Sequence, residues 1–365
     1  MFDKICSFEN LYSAYLKARK CKRYKKEILK FGFNAEKNLL KLKKRLETQT
    51  YKHGGYREFV VNDSKKRTIK AAPFADRVVH HALCNIIEPI FDKAFIFDSY
   101  ACRKGKGTHK AIKRVKTFLR SLAFAERERE RERERESKNT TRGIYCLQCD
   151  ISKYFDSINH EILFGILQKK IVDGKVLRLI QEIIDSNNFE TGKGIPIGNL
   201  TSQLFANVYL NELDQFVKRD LKRGYYLRYM DDFLILGTDK RELWQAKDKI
   251  AEFLKNGLDL NLHPKKAEVF PARTGIEFLG FRIFAAYAVL RQSTLKRFAK
   301  KMKEKKGDEA AAAKAFDSFR AFADKCRSWQ TMQNLEAIFL PRRREEKIIS
   351  HVNAQLQTFS EGLTL

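Results

Sequence analysis

Residues 1–50 alternate apolar and polar positions with the period of a helix. The apolar positions fall three or four residues apart within short groups, at Leu11, Tyr15, Ala18, Leu29, Phe33, Leu39, Leu42 and Leu46. This spacing is typical of amphipathic helices, and the polar positions between these residues are mostly lysine and arginine. Residues 1–54 are therefore predicted to form a basic helical extension.

Strand-type patterns follow in several places. Tyr56–Val61 and Arg67–Ala71 flank a polar turn, which predicts a hairpin, and a helix is predicted from about Phe74 to Ile90. Further along, the run from Ile144 to Ile151 predicts a strand, and residues 225–236 predict a second hairpin. Helices are predicted between these two, at about His160–Leu167, Lys175–Asp185 and Thr201–Lys218.

Two segments depart from these periods. Residues 126–136 contain only alternating glutamate and arginine. On a helix this order places like charges at i,i+4, so the segment is not an optimised helix, and without apolar residues it cannot form a core. It is predicted to be a solvated insertion. The second segment, Gly307-Asp308-Glu309 before a run of alanines, predicts a linker and the start of a helix.

The charge balance limits the class of partner. Lys+Arg total 73 against 45 for Asp+Glu, a formal net charge of +28. Such an excess favours a polyanion, above all nucleic acid, with a membrane surface as the alternative. No apolar run approaches the roughly 18 residues of a spanning helix, and the first residues do not resemble a secretory signal. The basic positions at 17–26 fit either a solvated helix face or phosphate contacts.

The cysteines indicate a reducing compartment. There are seven, scattered along the chain, which predicts free thiols and a cytoplasmic location. Cys146 and Cys149 have the spacing of half a zinc site. No second Cys or His pair follows at ligand spacing, so a zinc site is disfavoured.

Asp231 and Asp232 lie together inside an apolar run of strand type. A buried, unpaired charge is costly, so such pairs persist mainly where they bind a metal or another partner. Neighbours in a strand face opposite sides, so both carboxylates serve one site only at a tight turn. A hairpin with Met230, Asp231 and Asp232 at its tip is therefore predicted. The alternative is a solvated Asp-Asp turn.

A third carboxylate, Asp150, ends the predicted strand that begins at Ile144. A strand, a helical crossover and a hairpin would bring Asp150 beside Asp231 and Asp232. Three carboxylates can bind two divalent ions, roughly 3.5–4 Å apart, that stabilise the attacking and leaving oxygens of phosphoryl transfer. Mg²⁺ suits such a site because it binds carboxylate, water and phosphate oxygens.

Several short motifs, in this order, resemble those of reverse transcriptases. Tyr229-Met230-Asp231-Asp232 is similar to the central catalytic motif of that family, and Asp150 with Phe155 to its first catalytic strand. The other matches are Arg67, Asp76-Arg77-Val78-Val79, Leu262-His263-Pro264-Lys265-Lys266 and Phe278-Leu279-Gly280-Phe281. One motif alone is weak, but several in order over about residues 55 to 300 are specific.

The resemblance implies a right-hand polymerase fold of the α+β class. Its palm would be an antiparallel sheet with helices, and its thumb would be helical. The expected boundaries are 55–142 for the fingers, with the Arg/Glu insertion at 126–136, then 143–290 for the palm, with fingers–palm elements near 160–200, and 291–365 for the thumb and C-terminal tail.

The resemblance also implies catalytic roles. Two Mg²⁺ ions, which Mn²⁺ could replace, would be held by Asp150, Asp231, Asp232 and the backbone carbonyl of Ile151. Lys266, or its neighbour Lys265, would protonate the leaving pyrophosphate. For each basic residue the alternative role is solvated surface.

The same resemblance places residues around the substrates. Phe155 would pack under the sugar of the dNTP and exclude a 2′-hydroxyl, unless it is a plain core residue. Arg67, with Lys65 or Lys66, would hold the triphosphate. The residues expected on the primer–template duplex are Phe278, Leu279, Gly280 and Phe281, which would grip the primer end, and Lys296 and Arg297 of the thumb, which would contact phosphates.

The segment from Gly194 to Gln203 indicates a subtype. Most reverse transcriptases carry Gln-Gly and Ser-Pro here, whereas this chain has Ile197-Gly198 and Ser202-Gln203. That pattern resembles the reverse transcriptases of diversity-generating retroelements, bacterial and phage relatives of group II intron enzymes. It implies cDNA synthesis from a template RNA with errors opposite adenines, mutagenic retrohoming that diversifies a target gene, and a basic accessory variability protein as partner.

Ile197, Gly198 and Gln203 are accordingly expected beside the dNTP. An isoleucine cannot make the hydrogen bond that glutamine offers near the sugar and template. The loss of one such contact is worth about 1–2 kcal/mol, roughly ten-fold in discrimination. The alternatives are another bacterial reverse transcriptase of ordinary fidelity, for phage defence or a group II intron, and a catalytically silent RNA-binding scaffold.

Overall fold

The computed structural model describes residues 1–62, 66–135, 143–186, 192–305, 307–324 and 326–340 of the chain. Helices predominate, and the strands form short antiparallel pairs. This mixture of helices and antiparallel sheet confirms the predicted α+β class.

The described helices and strands alternate irregularly along the chain. The helices are α1 Phe2–Cys6, α2 Phe8–Ala18, α3 Lys26–Phe33, α4 Ala35–Glu47, α5 Phe74–Asp92, α6 Thr108–Arg135, α7 Tyr154–Ser157, α8 His160–Gln168, α9 Gly174–Asp185, α10 Leu200–Gln215, α11 Lys240–Leu258, α12 Gln292–Lys303, α13 Glu309–Ala323 and α14 Trp329–Phe339. The strands are β1 Arg57–Asn62, β2 Lys66–Ala71, β3 Tyr145–Cys149, β4 Tyr226–Tyr229, β5 Asp232–Gly237, β6 Glu268–Pro271, β7 Ile276–Phe278, β8 Phe281–Ile283 and β9 Ala288–Leu290.

The chain divides into two compact units. Within the described residues, the first unit contains 1–111 and 143–270, and the second contains 112–135 and 271–340. The boundaries proposed for fingers, palm and thumb stay predictions.

A four-stranded sheet lies at the centre of the first unit, in the order β4-β5-β3-β6. β5 pairs antiparallel with both β4 and β3, and it places Leu234 opposite Leu227 and Ile235 opposite Leu147. Adjacent residues of β5 face opposite sides, yet Phe233, Leu234 and Ile235 are all buried. The sheet is therefore covered on both faces, and α11 packs against β3 and β5 on one of them.

Side-chain caps begin the helices around this sheet. Asn159, Asp173 and Asp239 precede α8, α9 and α11, and each accepts hydrogen bonds from backbone N–H groups of the first turn. Asp173 also accepts the backbone N–H of Phe2 at 2.8 Å. The first residues of the chain are thereby tied to the start of α9.

The N-terminal helices confirm most of the periodicity in residues 1–50. α2 packs along α5, with Leu11 and Tyr15 buried in the contact, and Leu39 of α4 is buried as well. Leu29 and Phe33 are the exceptions, because both are exposed on α3. Phe33 closes that short helix just before α4 begins at Ala35.

The Arg/Glu segment is helical as far as Arg135, although its order of charges is not that of an optimised helix. α6 begins as an ordinary amphipathic helix with Ile112, Val115 and Leu119 buried. Once a helix is nucleated, each further residue adds a hydrogen bond at little cost. Ion pairs at i,i+3 join Arg129 to Glu126 and Arg131 to Glu128. Residue 136 lies outside the described residues.

The second unit has its own sheet and core. Strands β7, β8 and β9 form an antiparallel meander, and helices α12, α13 and α14 pack on one another. Phe298 of α12 and Phe316 of α13 are buried between them. Asp308 caps α13 by accepting the N–H of Ala311 at 2.8 Å, which confirms the predicted helix start.

A membrane-spanning helix is absent from the described part of the chain. None of its helices combines the necessary length with sufficient apolar character.

Candidate active site

The acidic hairpin is formed by β4 and β5. Tyr229 pairs with Asp232, so the turn itself consists of two residues, Met230 and Asp231. The expected three-residue tip is therefore one residue too long, because Asp232 is already the first residue of β5. Met230 has φ 58°, in the left-handed region that two-residue hairpin turns require. We call Met230-Asp231 the acidic turn.

Strand β3 brings Asp150 to the same end of the sheet. Cys149, the last residue of β3, pairs with Phe233. The residue after it, Asp150, therefore continues this register toward Asp232, the first residue of β5. Asp150 is 9% exposed. The strand and the hairpin thus meet at one end of the sheet, with Asp150 just after β3, Asp232 at the start of β5 and Asp231 in the turn.

The charges of Asp150 and Asp231 act on each other. The pKa of Asp231 is raised, chiefly because burial penalises the carboxylate and also because Asp150 is nearby. The backbone N–H of Asp231 and the positive charges of Arg67 and Lys266 oppose this increase in the pKa. The geometry therefore gathers two carboxylates and two cations around one point of the first unit.

Lys266 reaches this point from a turn beside β3. The backbone N–H of His263 donates to the carbonyl of Asp150 at 2.7 Å, and Lys266 closes a turn onto the His263 carbonyl at 3.1 Å. The Lys266 ammonium forms an ion pair with the Asp150 carboxylate. Lys265 is exposed, and its backbone N–H donates to His263 Nδ1 at 3.2 Å.

The backbone of Ile151 is oriented by the same turn. Ile151 and Leu262 form an antiparallel bridge. The hydrogen bonds flank this pair, from His263 to Asp150 and from Ser152 to Asn261. In such a pair the carbonyl of Ile151 points away from Leu262 and toward the other neighbouring strand, β5.

The side chains at this end of the sheet fit a divalent ion. Within the described residues, no three His, Cys, Asp or Glu side chains lie close enough to form a ligand cluster on their own. Asp150, which is buried, and Asp231, which is half-buried, are nevertheless neighbours of like charge, and Asp150 already accepts a cation, the Lys266 ammonium. Because Mg²⁺ often uses only one or two carboxylates beside water and phosphate oxygens, the pair fits this ion.

The β1–β2 hairpin carries Arg67, which is exposed opposite Val61. The Lys70 N–H donates to the carbonyl of Ile197 at 3.0 Å, so β2 lies directly against the segment that precedes α10. Gly198 has φ +125°, and a Cβ there would lie 3.0 Å from Ile69 Cγ2. Ile197 and Gly198 thus contact the hairpin that bears Arg67. The Lys66 side chain and Lys65 lie outside what the structure describes.

Phe155 is half-buried on the short helix α7. Its carbonyl accepts the N–H of Ile195 at 2.8 Å, which joins it to the same segment as Ile197. Its ring meets that of Tyr154 edge-on, with the centroids 5.6 Å apart. Phe155 is therefore neither fully in the core nor fully exposed, as a residue that touches a substrate would be.

Gln203 lies one turn into α10 and faces a different space. Its side chain lines a cavity of about 20 Å³ together with Glu88 and Asp92 of α5 and Asn207 of α10. The structure thus brings Ile197 and Gly198 to the β1–β2 hairpin. Gln203, on α10, lies instead at the cavity between α10 and α5.

The predicted duplex contacts belong to the second unit. Leu279 and Gly280 form a two-residue turn, with φ 52° and 88°, between β7 and β8. Phe278 and Phe281 are buried at its base, so any contact with a primer would come from the turn and not from the rings. Lys296 and Arg297 are exposed on α12.

Sequence reasoning missed a buried ion pair beneath the acidic turn. Arg228 of β4 and Asp214 of α10 are both fully buried, and Arg228 also donates to the Met230 carbonyl at 3.0 Å. The available signal was a charged residue inside the apolar run of β4, since a buried charge needs a partner. Which acidic residue would pair with it was not evident.

These features define an α+β protein with an acidic site at one end of an antiparallel sheet and a basic hairpin beside it. Residues 52–283 match the family described as "Reverse transcriptase (RNA-dependent DNA polymerase)". Because the match covers more than half of the chain, the chain belongs to the reverse transcriptase family.

Individual relatives are more distant. The chain is 25% identical over 260 residues to Protein YkfC of Escherichia coli strain K12, covering 61% of this chain and 64% of that protein. It is 25% identical over 340 residues to the Group II intron-encoded protein LtrA of Lactococcus lactis subsp. cremoris, covering 74% and 52%. The chain thus spans about half to two thirds of the length of these relatives.

Among solved structures, the apo telomerase of Candida tropicalis is similar, with 12% identity and a TM-score of 0.49. The similarity covers 67% of this chain and 49% of that chain.

Proposed function

We propose that this chain is an RNA-directed DNA polymerase that copies a template RNA into cDNA from dNTPs. The observation that carries the proposal is that the carboxylates of Asp150 and Asp231 lie near each other at the end of the sheet, where the charge of Arg67 also acts on Asp231. Two neighbouring carboxylates, one buried and one half-buried, favour divalent cations, and a basic hairpin beside them favours a triphosphate. Membership of the reverse transcriptase family supports the same activity.

Divalent ions are part of the proposal. The residues that would hold two Mg²⁺ ions, or Mn²⁺ in their place, are Asp150, Asp231, Asp232 and, through its carbonyl, Ile151. When bound, such ions would activate the primer 3′-oxygen and stabilise the leaving pyrophosphate.

The side chains of the chain bind and orient the substrates. Arg67, with Lys66, would hold the triphosphate, because guanidinium and ammonium groups pair with phosphate oxygens. Phe155 would lie under the sugar and exclude a 2′-hydroxyl by contact. Lys266, whose ammonium forms an ion pair with Asp150, would donate a proton to the leaving pyrophosphate oxygen.

The second unit would hold the nucleic acid. Leu279 and Gly280 at the β7–β8 turn would contact the primer end, and the exposed Lys296 and Arg297 would contact duplex phosphates. The net charge of +28 supports a polyanionic partner. Phe278 and Phe281 would support this turn from the core.

The subtype is a finer part of the proposal. The sequence pattern Ile197-Gly198 and Ser202-Gln203, which resembles that of diversity-generating retroelement enzymes, supports a reverse transcriptase of this type. Such an enzyme makes errors opposite template adenines for mutagenic retrohoming, in the cytoplasm, with a structured template RNA and a basic accessory protein. Seven free thiols among the described residues are consistent with that location.

A second candidate function is cDNA synthesis of ordinary fidelity, as in a group II intron or a phage-defence system. The observation that favours it is the similarity to a group II intron-encoded protein over 74% of this chain. The two candidates differ in the errors of the cDNA and not in the chemistry.

The test is templated cDNA synthesis by the purified chain with Mg²⁺ and dNTPs, followed by sequencing of the products. Wild-type protein is expected to extend a primer on RNA, and Asp150→Asn to make no product. Errors concentrated at template adenines support the diversity-generating type, whereas uniformly low errors support the second candidate. Absence of extension by the wild type on every template would support a silent RNA-binding scaffold.

A further inference from the structure

Arg228 has no role in the chemistry proposed above, although it lies within three residues of Asp231. Its side chain is fully buried, and so is that of Asp214, its partner on α10. Arg228 Nε donates to Asp214 Oδ1 and Nη2 to Oδ2, each at 2.7 Å. This is the bidentate geometry in which arginine binds carboxylate most strongly.

The remaining N–H groups of the Arg228 guanidinium also donate hydrogen bonds. Nη1 donates to Asn207 Oδ1 at 3.2 Å and to the Met230 carbonyl at 3.0 Å, and Nη2 donates to Ser99 Oγ at 3.3 Å. A guanidinium has five N–H groups, and here each has an acceptor. Only the bond to Met230 leads to the acidic turn.

That bond fixes the peptide between Met230 and Asp231. Met230 has φ 58°, a conformation that costs an L-residue roughly 1–2 kcal/mol and needs support from its surroundings. The same peptide carries the N–H of Asp231, which acts on the Asp231 carboxylate. The orientation of this peptide therefore sets where that carboxylate lies.

The backbone of Arg228 is held from the other side as well. Its N–H donates to the carbonyl of Asp98 at 2.9 Å, and its own carbonyl accepts the N–H of Tyr100 at 3.0 Å. Neither the strand nor the side chain of Arg228 can shift without breaking several hydrogen bonds.

We propose that Arg228 is a positioning residue that locks the acidic turn onto α10. α10 begins at Leu200, directly after the segment that contacts the β1–β2 hairpin through Ile197 and Gly198. One rigid helix thus links the expected dNTP segment to the carboxylate of Asp231. This inference rests on the proposed polymerase function.

The test replaces the ion pair by apolar side chains in the double variant Arg228→Met, Asp214→Leu. Replacement of both partners of a buried ion pair is often neutral for stability, whereas removal of one is not. We expect kcat for dNTP incorporation to fall roughly ten-fold or more, because small displacements of reacting groups are costly, with the KM for primer–template within about two-fold of wild type.

Tyr226→Phe is the matched control. It removes a 2.7 Å hydrogen bond to the same Asp214 Oδ1 but leaves the Met230 carbonyl held by Arg228. We expect its kcat within about two-fold of wild type, since the contact with the turn persists. Equal losses of kcat in Tyr226→Phe and the double variant would show general structural damage and overturn the proposal.

Arg228→Lys keeps the measurement decisive should the double variant fail to fold. Lysine keeps the charge but lacks the planar fork, so we again expect a kcat roughly ten-fold lower, measured well below the melting temperature of the variant. Either Arg228 variant with wild-type melting and wild-type kcat overturns the inference. A wild-type chain that incorporates no dNTP in the same assay contradicts the polymerase function instead, so the two failures are distinct.

Discussion

The ammonium of Lys266 forms an ion pair with the carboxylate of Asp150, directly beside the bridge between Ile151 and Leu262. The neighbouring Lys265 is exposed in the same turn. Sequence reasoning left both lysines open as the acid that protonates pyrophosphate. Their positions now separate them, because only a group beside the carboxylates can reach the reacting phosphate.

We therefore expect Lys266→Met to lower kcat by roughly 100-fold, the usual scale for loss of a positioned general acid, and Lys265→Met to leave kcat within about two-fold. The measurement is single-turnover incorporation of one dNTP at saturating substrate. The two variants remove the same charge from adjacent positions, so net charge is matched. A larger loss of kcat in Lys265→Met than in Lys266→Met would assign the role to Lys265 and contradict this prediction.

Asp231→Asn is expected to separate activity from stability. Burial and Asp150 raise the pKa of Asp231, so the folded state disfavours the charged form. A group with a raised pKa weakens folding as pH increases past its unfolded value of 3.8, and the effect persists at neutral pH. The amide removes this repulsion.

In the absence of divalent ions, we expect Asp231→Asn to melt at the wild-type temperature or above it at pH 7, while dNTP incorporation is abolished. Thermal unfolding in EDTA and primer extension in Mg²⁺ check the two halves separately. A marked drop in melting temperature would mean that the Asp231 charge stabilises the fold, contrary to its raised pKa.

The acidic site was predictable because its signals are local. Asp231 lies in an apolar run, which predicted a turn that exposes its carboxylate. The apolar strand that leads to Asp150 needed a neighbouring strand, and the strand-type pattern of both segments predicted the β3–β5 pairing. Arg228 gave a similar local signal. Its partner Asp214 comes from another element, however, and sequence does not reveal which of many acids a helix will present.

Sequence patterns are least informative where tertiary structure or helix propagation overrides local preference. Residues after Glu126 lack apolar positions, yet they continue α6 because Ile112 and Val115 already anchor that helix. Gln203 is expected near the dNTP from its motif, and in the structure it lines a small cavity together with Glu88 of α5. The direction of a side chain on α10 depends on how α5 packs, which no motif records.

Gly198 is expected to be intolerant of a side chain for a steric reason. A Cβ at this position would lie 3.0 Å from Ile69 Cγ2 and 3.1 Å from the Lys70 carbonyl, at φ +125°. Gly192 also has positive φ, +62°, but no atom of the described residues lies within 4 Å of its Cβ position. Both positions therefore carry a backbone cost for an L-residue, which is larger at Gly198 because φ +125° lies outside the αL region, and only Gly198 adds a clash.

We expect Gly192→Ala to cost about 1 kcal/mol of stability, and Gly198→Ala to cost more and to raise the KM for dNTP several-fold by pushing β2 away. Denaturant unfolding and steady-state incorporation measure the two effects. The argument fails if the two variants have the same KM for dNTP.

Ile197→Gln tests the proposed source of errors. The backbone of Ile197 is fixed by Lys70, so the substitution changes the side chain without moving the segment. A glutamine there could restore a polar contact worth about 1–2 kcal/mol, and we expect roughly ten-fold fewer errors opposite template adenines.

The measurement is sequencing of cDNA made by wild type and variant on one RNA template. Ile197→Val serves as the control that keeps an apolar residue and is expected to keep the wild-type error spectrum. An identical spectrum in Ile197→Gln would refute this explanation and leave the reverse transcriptase activity itself untouched.

Two adjacent histidines of α5, the buried His80 and the half-buried His81, are expected to make the protein sensitive to acid. His80 is fully buried and stacks on His53, with the ring centroids 5.2 Å apart. Within the described residues, neither ring nitrogen of His80 has a hydrogen-bond partner. Burial lowers the pKa of His80 to about 3, and burial also lowers the pKa of His81 to about 4.

The sign of the effect follows from these values. Below the ordinary pKa of 6.5 the unfolded chain binds a proton at each histidine, whereas the folded chain binds none until pH 4 to 3. The free energy of unfolding should therefore fall as pH drops through this window, by up to about 1.4 kcal/mol per pH unit for each group.

His80→Phe keeps a buried ring and removes one titrating group, and His80→Phe with His81→Phe removes both. Urea unfolding of the full chain between pH 4.5 and 7 should show the steepest loss in wild type, a smaller one in the single variant and the smallest in the double variant. If all three lose stability with the same slope, other groups govern acid unfolding and these two histidines do not.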